Sequence, residues 1–486
     1  MVDTFGLFTP KRRLSLLKMA IIGGFVCSLP ITAYLTSKSN LFPILLILAG
    51  VAPIGIFLLL RHIELGLVAM LFAGVFVRFR LPTGTASEIV MSLLLCGGLG
   101  GLWLMHMVMV EKHIKLKPAP INFPLLAFMV TVFVSLAWNQ VYRDALVQNI
   151  GSPFVAVISA AVIVLLPGTL LLISNLITDE RWLQAIVWIF LAEGAVSLII
   201  SLIADLGIGP TSSIRQLVWY NGFLWINSQG IFHLWYVAFA LAFVSFNRRL
   251  HPAWKVALLV YVAGWIYWGF FLRTSWLSGW VPTFATGAVI AFFRSKKVFI
   301  ILLVLLVVAG SYYAQTALDA ESEESGGTRL AAYAVNWRIT GKHLLLGTGP
   351  AGYASYYMTY FPMEGMASHS NYIDIISQTG IVGSFFLLWF FAAHLWNSFK
   401  VRRRLENRGD FAECLSVAVI AGTIGCLVAM ALGDWLFPFT YTQGIVGFDS
   451  AMFNWFFMGL LWALRHSLDS KASPAHDLPT EQGATA

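Results

Sequence analysis

Residues 152–175 read SPFVAVISAAVIVLLPGTLLLISN and carry no charged side chain. A helix needs about 20 apolar residues to cross a bilayer, so this run is long enough to span one. Comparable runs recur along the chain, and we predict fourteen spans. They are residues 17–36, 41–60, 63–77, 88–110, 121–138, 152–175, 182–205, 230–246, 254–271, 278–293, 298–313, 375–397, 412–431 and 450–464.

Composition excludes a soluble fold. Mean hydropathy is +0.78 and 11% of residues are charged, which leaves too little polar surface to cover a globule. The apolar runs are continuous, whereas barrel strands alternate. The predicted fold class is therefore all-α, one polytopic membrane bundle over residues 1–486. The third, fifth and last runs are short, so twelve or thirteen spans are the alternative. The first run follows Lys11, Arg12 and Arg13 like a signal peptide, but it lacks a cleavage site and is predicted to be retained.

The placement of basic residues predicts the orientation. With a cytoplasmic N-terminus, 22 of the 31 Lys and Arg residues lie inside and nine lie outside, which follows the positive-inside rule. Both termini are then cytoplasmic, and residues 469–486 form a disordered cytoplasmic tail. The net charge of +8 reflects this topology, and no nucleic-acid partner is indicated. Two outer loops are long, residues 206–229 and residues 314–374.

Arginine dominates the outer basic residues. Seven of the nine are Arg, and the planar guanidinium binds phosphate oxygens in a bidentate manner that Lys cannot match. A phosphate-bearing ligand at the outer face explains this bias, and snorkelling to lipid headgroups is the alternative. The nine are Lys38, Arg78, Arg80, Arg143, Arg215, Arg273, Arg329, Arg338 and Lys342.

The second outer loop concentrates polar chemistry between Arg329 and Gly383. Thr328 is predicted to cap a helix that begins at Arg329 and ends near Thr340. Arg329 would then lie in the first helical turn, where free backbone N–H groups favour an anion. The alternative is that Arg329 pairs with an acidic residue of 321–324.

A turn and a group of aromatic residues follow. Residues 347–350, GTGP, predict a tight turn, although this motif alone does not predict phosphate binding. Tyr353, Tyr356 and Tyr357 suit either the membrane interface or stacking on sugar rings.

His369 opens the twelfth predicted span. A neutral imidazole there suits a general base, and a helix-capping role is the alternative. The outer segments contain no HExxH motif and no His/Cys cluster, so neither a metal nor another cofactor is expected. Glu193, within the seventh run, suits proton coupling or a carboxyl that is neutral or paired. The four cysteines lie in apolar runs and suit packing.

The order of these features resembles the O-antigen ligase/polymerase superfamily of bacterial envelope glycan enzymes. The resemblance covers about residues 215–390 and departs at Leu344, where proline is usual, and at Arg273, which lies two residues early relative to the family's Ser-Arg pair. The matching elements are Arg215 and Asn227, Arg329 and Tyr333, HLLLGTGP at 343–350, and His369, Tyr372, Gly380 and Gly383.

The resemblance implies transfer of glycan from an undecaprenyl-diphosphate carrier at the periplasmic face of the inner membrane, without metal or other cofactor. It implies that His369 and Arg329 are catalytic and that Tyr353, Tyr356, Tyr357 and Tyr372 contact glycan. The implied partners are the lipid-linked glycan, the bilayer, a flippase and a chain-length regulator. The implied diphosphate ligands are Arg215, Arg273, Arg329 and Arg338.

Three functions remain open at this point. A polymerase extends a lipid-linked chain, a ligase moves finished glycan to lipid A-core or protein, and a transporter or flippase moves a solute. The predicted spans are poor in charge apart from Glu193, which disfavours a transport pathway for charged solutes. The long second outer loop and the span count favour the polymerase.

Overall fold

The computed structural model describes most of the chain beyond residue 61. The described residues are 62–77, 80–82, 88–147, 153–207, 232–272, 277–305, 307–308, 328–363, 368–441 and 443–472. Two compact units divide the chain, Met1–Leu65 and Gly66–Ala486, and the first lies almost wholly outside these ranges. The predicted spans 17–36 and 41–60, residues 208–229 of the first loop and the tail beyond Ala472 also lie outside them.

Helices make up nearly all of the described residues. In chain order they are α1 (Ile63–Phe76), α2 (Met91–His106, extended by a π-helical turn, Met107–Glu111), α3 (Asn122–Val141), α4 (Pro153–Leu176), α5 (Glu180–Leu206), α6 (Phe232–Phe246), α7 (Pro252–Ile266, extended by a π-helical turn, Tyr267–Leu272), α8 (Leu277–Arg294), α9 (Thr328–Thr340), α10 (Gly352–Tyr360), α11 (Asn371–Leu405), α12 (Phe411–Leu432) and α13 (Phe448–Ala472). Residues 296–305 are also helical.

The predicted class, a helical membrane protein, is confirmed. Eight described helices are long and apolar enough to cross a bilayer. The count of fourteen is not confirmed, because α1 and α6 have 14 and 15 residues, fewer than the roughly 20 that a span needs. Helix α13 continues to Ala472 and so includes the first residues of the predicted tail, 469–472.

One short hairpin departs from the all-α prediction. Strand β1 (Arg80–Pro82) pairs antiparallel with β2 (Glu88–Val90), with Leu81 opposite Ile89. The predicted span 88–110 therefore begins as a strand and becomes helical at Met91. The β-branched Ile89 and Val90 favour this conformation, which a hydropathy profile does not distinguish from helix.

Helices α12 and α13 form the core of the described bundle. Every residue from Ala451 to Leu464 is buried. Gly459 lets α13 approach α4 closely, because an added Cβ would lie 2.8 Å from the Cβ of Ile173. An apolar helix that is buried on all sides occupies the interior of a bundle, whereas α2 and α3 expose many apolar side chains to the surroundings.

The predicted inner basic residues that the structure describes gather at one end of the bundle, which we call the basic end. They lie within residues 111–117, 181, 247–251, 294–297 and 400–408. Helices α11 and α13 both run towards it and terminate there. Contacts join these segments to the adjacent helix ends: the Lys117 amide donates to Asn175 Oδ1 at 2.7 Å, Arg404 lies 3.2 Å from Asp469, and Lys471 lies 3.3 Å from Glu180. The starts of α11 and α13 lie at the opposite end, which we call the site end.

Candidate functional site

Helix α11 breaks at Gly380, and the GTGP turn fits into the break. Gly380 has φ 67° and ψ −168°, outside the helical region. The amides of Thr348 and Gly349 donate to the carbonyl oxygens of Ser377 and Gln378 at 2.8 and 3.0 Å. The turn amides therefore satisfy carbonyls that the break exposes, and they do not face an anion.

Glycine is required on both sides of this junction. Gly347 has φ 70°, and an added Cβ there would lie 2.5 Å from the carbonyl carbon of Gln378. A Cβ at Gly380 would lie 2.3 Å from the carbonyl oxygen of Leu345. Ser135 of α3 closes the junction by donating to the carbonyl oxygens of Leu346 and Gln378. The turn thus ties α3 to α11.

Gly380→Ala is expected to destabilise the protein by about 1–3 kcal/mol, because its backbone conformation strains any residue with a Cβ. The thermal unfolding midpoint in detergent should fall by several degrees. Gly101→Ala is the matched control, since nothing lies within 4 Å of its added Cβ and alanine favours helix. An unchanged midpoint for Gly380→Ala would contradict the tight junction.

His369 lies immediately before α11 at the site end. Its backbone has φ 47°, a left-handed conformation that His tolerates better than most side chains. The side chain is 42% exposed, and its Nδ1 lies 3.8 Å from Oδ2 of Asp434, which is 1% exposed. No described residue hydrogen-bonds to Nε2. The imidazole therefore presents one nitrogen to the surroundings and the other to a buried carboxyl.

A second buried carboxyl supports the first. Asp374 lies beside Asp434, and its Oδ1 accepts a hydrogen bond from Ser368 Oγ at 2.6 Å. Two buried carboxylates that interact this closely repel each other, so a proton on one of them stabilises the pair. His369, Asp434 and Asp374 thus form a continuous polar chain that begins at the surface and ends in the interior.

Asn371 holds the segment that carries Asp434. Its Oδ1 accepts from the Leu436 amide at 2.9 Å, and its Nδ2 donates to the Phe437 carbonyl oxygen at 2.7 Å. The side chain is fully buried, so these bonds are shielded from water. Asn371 therefore fixes the distance between the start of α11 and the segment following α12.

Helix α9 begins one residue earlier than predicted and ends at the predicted Thr340. The position of Arg329 lies on the helix face that carries Tyr333 and Asn336, and Asn336 is 1% exposed. Side-chain contacts of Arg329 lie outside the described part of the structure. Its predicted role stays a prediction.

Arg338 is separated from Arg329. Nine residues of α-helix make two and a half turns, so the two positions lie on opposite faces of α9. Arg338 is exposed and lies over the Phe361 ring at 5.8 Å. We therefore leave Arg338 out of the diphosphate site that Arg329 is predicted to form.

Three of the four predicted glycan-contact tyrosines are interior residues. Tyr353, Tyr356 and Tyr357 are 1%, 3% and 3% exposed. They form a hydrophobic cluster with Val335 and Phe439, among others. Burial removes their ring faces from any ligand, so sugar stacking on them is not supported. Helical spacing alone did not distinguish a buried aromatic face from an exposed one.

Tyr372 differs from the other three. It is 37% exposed, and its hydroxyl donates to the carbonyl oxygen of Leu427 at 2.9 Å. The ring remains partly accessible, three residues after His369 in the sequence, while the hydroxyl anchors it to α12.

Several predicted residues lie outside the described ranges. They are Arg215, Asn227 and Arg273, whose predicted roles stay predictions. Glu193 is 5% exposed in α5 near Tyr236 and Tyr261, far along the helix from either loop.

Asp434, Asp374 and Asn371 were not predicted as site residues. The one sequence signal for Asp434 is a carboxylate directly after an apolar run, in GDW at 433–435. No group of three or more His, Cys, Asp or Glu side chains in the described ranges is arranged to hold a metal ion. A scan of protein-family models finds no match to this chain. No curated protein matches it either.

Proposed function

We propose that this protein is a metal-independent glycosyltransferase of the polysaccharide polymerase type, acting on an undecaprenyl-diphosphate-linked donor and a lipid-linked acceptor. The observation that carries the proposal is the half-exposed His369 with buried Asp434 behind its Nδ1. A carboxylate at one imidazole nitrogen favours a proton on that nitrogen and leaves the other free to accept one. This is the arrangement that a general base requires.

In the proposed reaction, His369 Nε2 takes the proton from an acceptor hydroxyl. The acceptor oxygen forms a bond to the anomeric carbon of the donor, and the bond from that carbon to the diphosphate oxygen breaks. The electron pair leaves with undecaprenyl diphosphate. Asp434 is a positioning residue that orients the imidazole and stabilises its protonated form.

Arginine side chains hold the diphosphate in this proposal. Arg329 binds it from the face of α9 that carries Asn336, and Arg215 and Arg273 contribute from the other outer segments. Guanidinium groups stabilise the charge that develops on the leaving diphosphate, so their contribution is larger in the transition state than in the ground state.

The proposed location is the bacterial inner membrane, with fourteen spans, cytoplasmic termini and His369 at the periplasmic face. The separation of the basic end from the site end supports it. Basic loops favour the cytoplasmic side, and the lipid-linked donor of a periplasmic polymerase presents its diphosphate on the other side.

Deletion of the gene tests the polymerase assignment. We expect envelope glycan reduced to single repeat units, because chain extension needs both lipid-linked substrates at this enzyme. Electrophoresis of extracted glycan lipids measures the length distribution, and a plasmid-borne copy is the control. Full-length polymer stranded on undecaprenyl diphosphate would instead identify a ligase. Single units confined to the cytoplasmic leaflet would identify a flippase.

A further inference from the structure

Two cations lie over two aromatic rings at the end of α9. Arg338 lies 5.8 Å from the ring centre of Phe361, and the Nζ of Lys342 lies 5.8 Å from the ring centre of Tyr360. Both cations are exposed, and their positions are four residues apart. We call Arg338, Lys342, Tyr360 and Phe361 the cation–aromatic patch.

Neither cation forms a salt bridge within the described part of the chain. No described carboxylate lies within 4.0 Å of Arg338 or Lys342. Asp144, which interacts electrostatically with Lys342, already accepts hydrogen bonds from the Tyr360 hydroxyl and the Leu146 amide. These bonds, the tyrosine bond above all, hold the pKa of Asp144 below its usual value. Asp144 is therefore a carboxylate, committed to positioning the Tyr360 ring.

The neighbouring histidine adds no further charge. His343 packs against the Tyr356 ring at 4.5 Å, and burial lowers its pKa. The patch thus presents two positive charges, one carboxylate at its edge and the partly exposed Tyr360 ring. A ligand that matches all of these has an anionic group, several hydroxyl donors and an apolar ring face.

We propose that the cation–aromatic patch is a subsite for a carboxylate-bearing sugar, so that the glycan handled by this protein is acidic. The sugar carboxylate contacts Arg338 and Lys342, a ring face stacks on Tyr360, and a hydroxyl donates to Asp144. A lipid phosphate would contact the two cations, but it would not stack on the Tyr360 ring or donate a hydrogen bond to Asp144. The inference rests on the proposed function for the role of the glycan, while its binding test is independent of transfer.

Binding is measured on the purified full-length protein in phosphatidylcholine nanodiscs, with trigalacturonate as the acidic probe and maltotriose as the neutral one. We expect trigalacturonate to bind and maltotriose to bind at least about tenfold more weakly. The double variant Arg338→Gln/Lys342→Gln should lose about tenfold or more in affinity for trigalacturonate. Lys400→Gln/Arg404→Gln at the basic end is the matched control and should bind normally.

A charge-preserving variant tests whether a loss of affinity comes from the lost charges or from misfolding. Arg338→Lys/Lys342→Arg should retain most of the affinity, and all variants should show the wild-type unfolding midpoint. Four results would overturn the subsite: no trigalacturonate binding, equal binding of maltotriose, unchanged binding by the Gln variant, or full competition by phosphatidylglycerol nanodiscs. The triple variant Glu321→Gln/Glu323→Gln/Glu324→Gln tests whether these acids occupy the patch. A gain in its affinity for trigalacturonate as large as the loss in Arg338→Gln/Lys342→Gln would also overturn the subsite.

The binding subsite and the proposed transferase function can be refuted by different results. His369→Asn should bind trigalacturonate like wild type, because His369 lies outside the patch. If the wild-type protein binds trigalacturonate but transfers no glycan, the subsite stands and the transferase proposal is refuted.

Discussion

His369→Asn is expected to lower the rate of glycan transfer by about 10²–10⁴-fold, the usual contribution of a general base. Asparagine tolerates the left-handed backbone at this position, so the variant keeps the local conformation while losing the basic nitrogen. His369→Ala should lose as much activity. Transfer is measured on membranes with radiolabelled lipid-linked repeat units.

The matched control is His113→Asn, an exposed histidine at the basic end. It should transfer glycan at the wild-type rate. Near-normal turnover by His369→Asn, at equal membrane abundance, would refute the general-base role. Asp434→Asn gives a further contrast, because loss of a positioning carboxylate lowers the rate while leaving the imidazole in place.

Arg329→Ala is expected to lower the transfer rate by about 10²–10³-fold, since in the proposed mechanism Arg329 stabilises the charge that develops on the diphosphate. Arg329→Lys keeps the positive charge but not the bidentate fork, and should still lose about tenfold or more. Steady-state kinetics with varied lipid-linked donor should show a lower kcat, with a smaller change in KM.

Arg404→Lys provides the matched control, because Arg404 is exposed at the opposite end and pairs with Asp469. It should leave kcat and KM unchanged. A large rise in KM at constant kcat for Arg329→Ala would contradict transition-state stabilisation. It would show that Arg329 binds the donor equally well in the ground state and in the transition state. Wild-type kinetics for Arg329→Lys would show that a point charge suffices.

Hydropathy predicted most of the described helices, because continuous apolar runs have few alternatives in a bilayer. It did not predict the β1–β2 hairpin, because a hydropathy profile does not distinguish such short strands from the end of a helix. It also did not predict the break in α11. Gly380 within QTGIVG resembles an ordinary membrane-helix glycine, and its backbone angles and the approach of Leu345 show that the helix opens there.

Local motifs indicated His369 as a candidate residue but did not indicate the buried residues that lie against it. The histidine at the start of α11 was found because its polarity contrasts with the apolar run that follows. Its partner Asp434 comes from another helix end, and one sequence without an alignment does not reveal such pairing. The helix predicted from Arg329 to Thr340 is present as α9 and puts the positions of Arg329 and Asn336 on one face. The same spacing, applied to nine residues, would have separated Arg338 from Arg329.

The aromatic residues of α10 show the opposite limitation. Tyr353 and Tyr357 were predicted to lie at the membrane interface or to stack on sugar rings, and both roles need accessible rings. The packing of Val335 and Phe439 against them decides for burial, and both contacts are tertiary. Composition gives the chemistry of a ring, whereas the neighbours decide whether a ligand reaches it.

Reconstitution tests the central claim most directly. The purified protein in nanodiscs receives an undecaprenyl-diphosphate-linked repeat unit, extracted from the deletion strain, as both donor and acceptor, in the presence of EDTA. Mass spectrometry follows glycan length and free undecaprenyl diphosphate. The account predicts products of two or more repeats with one undecaprenyl diphosphate released per bond formed, and none of either with His369→Asn. Unextended repeats with no diphosphate lipid released by the wild-type protein, or equal extension by His369→Asn, would contradict it.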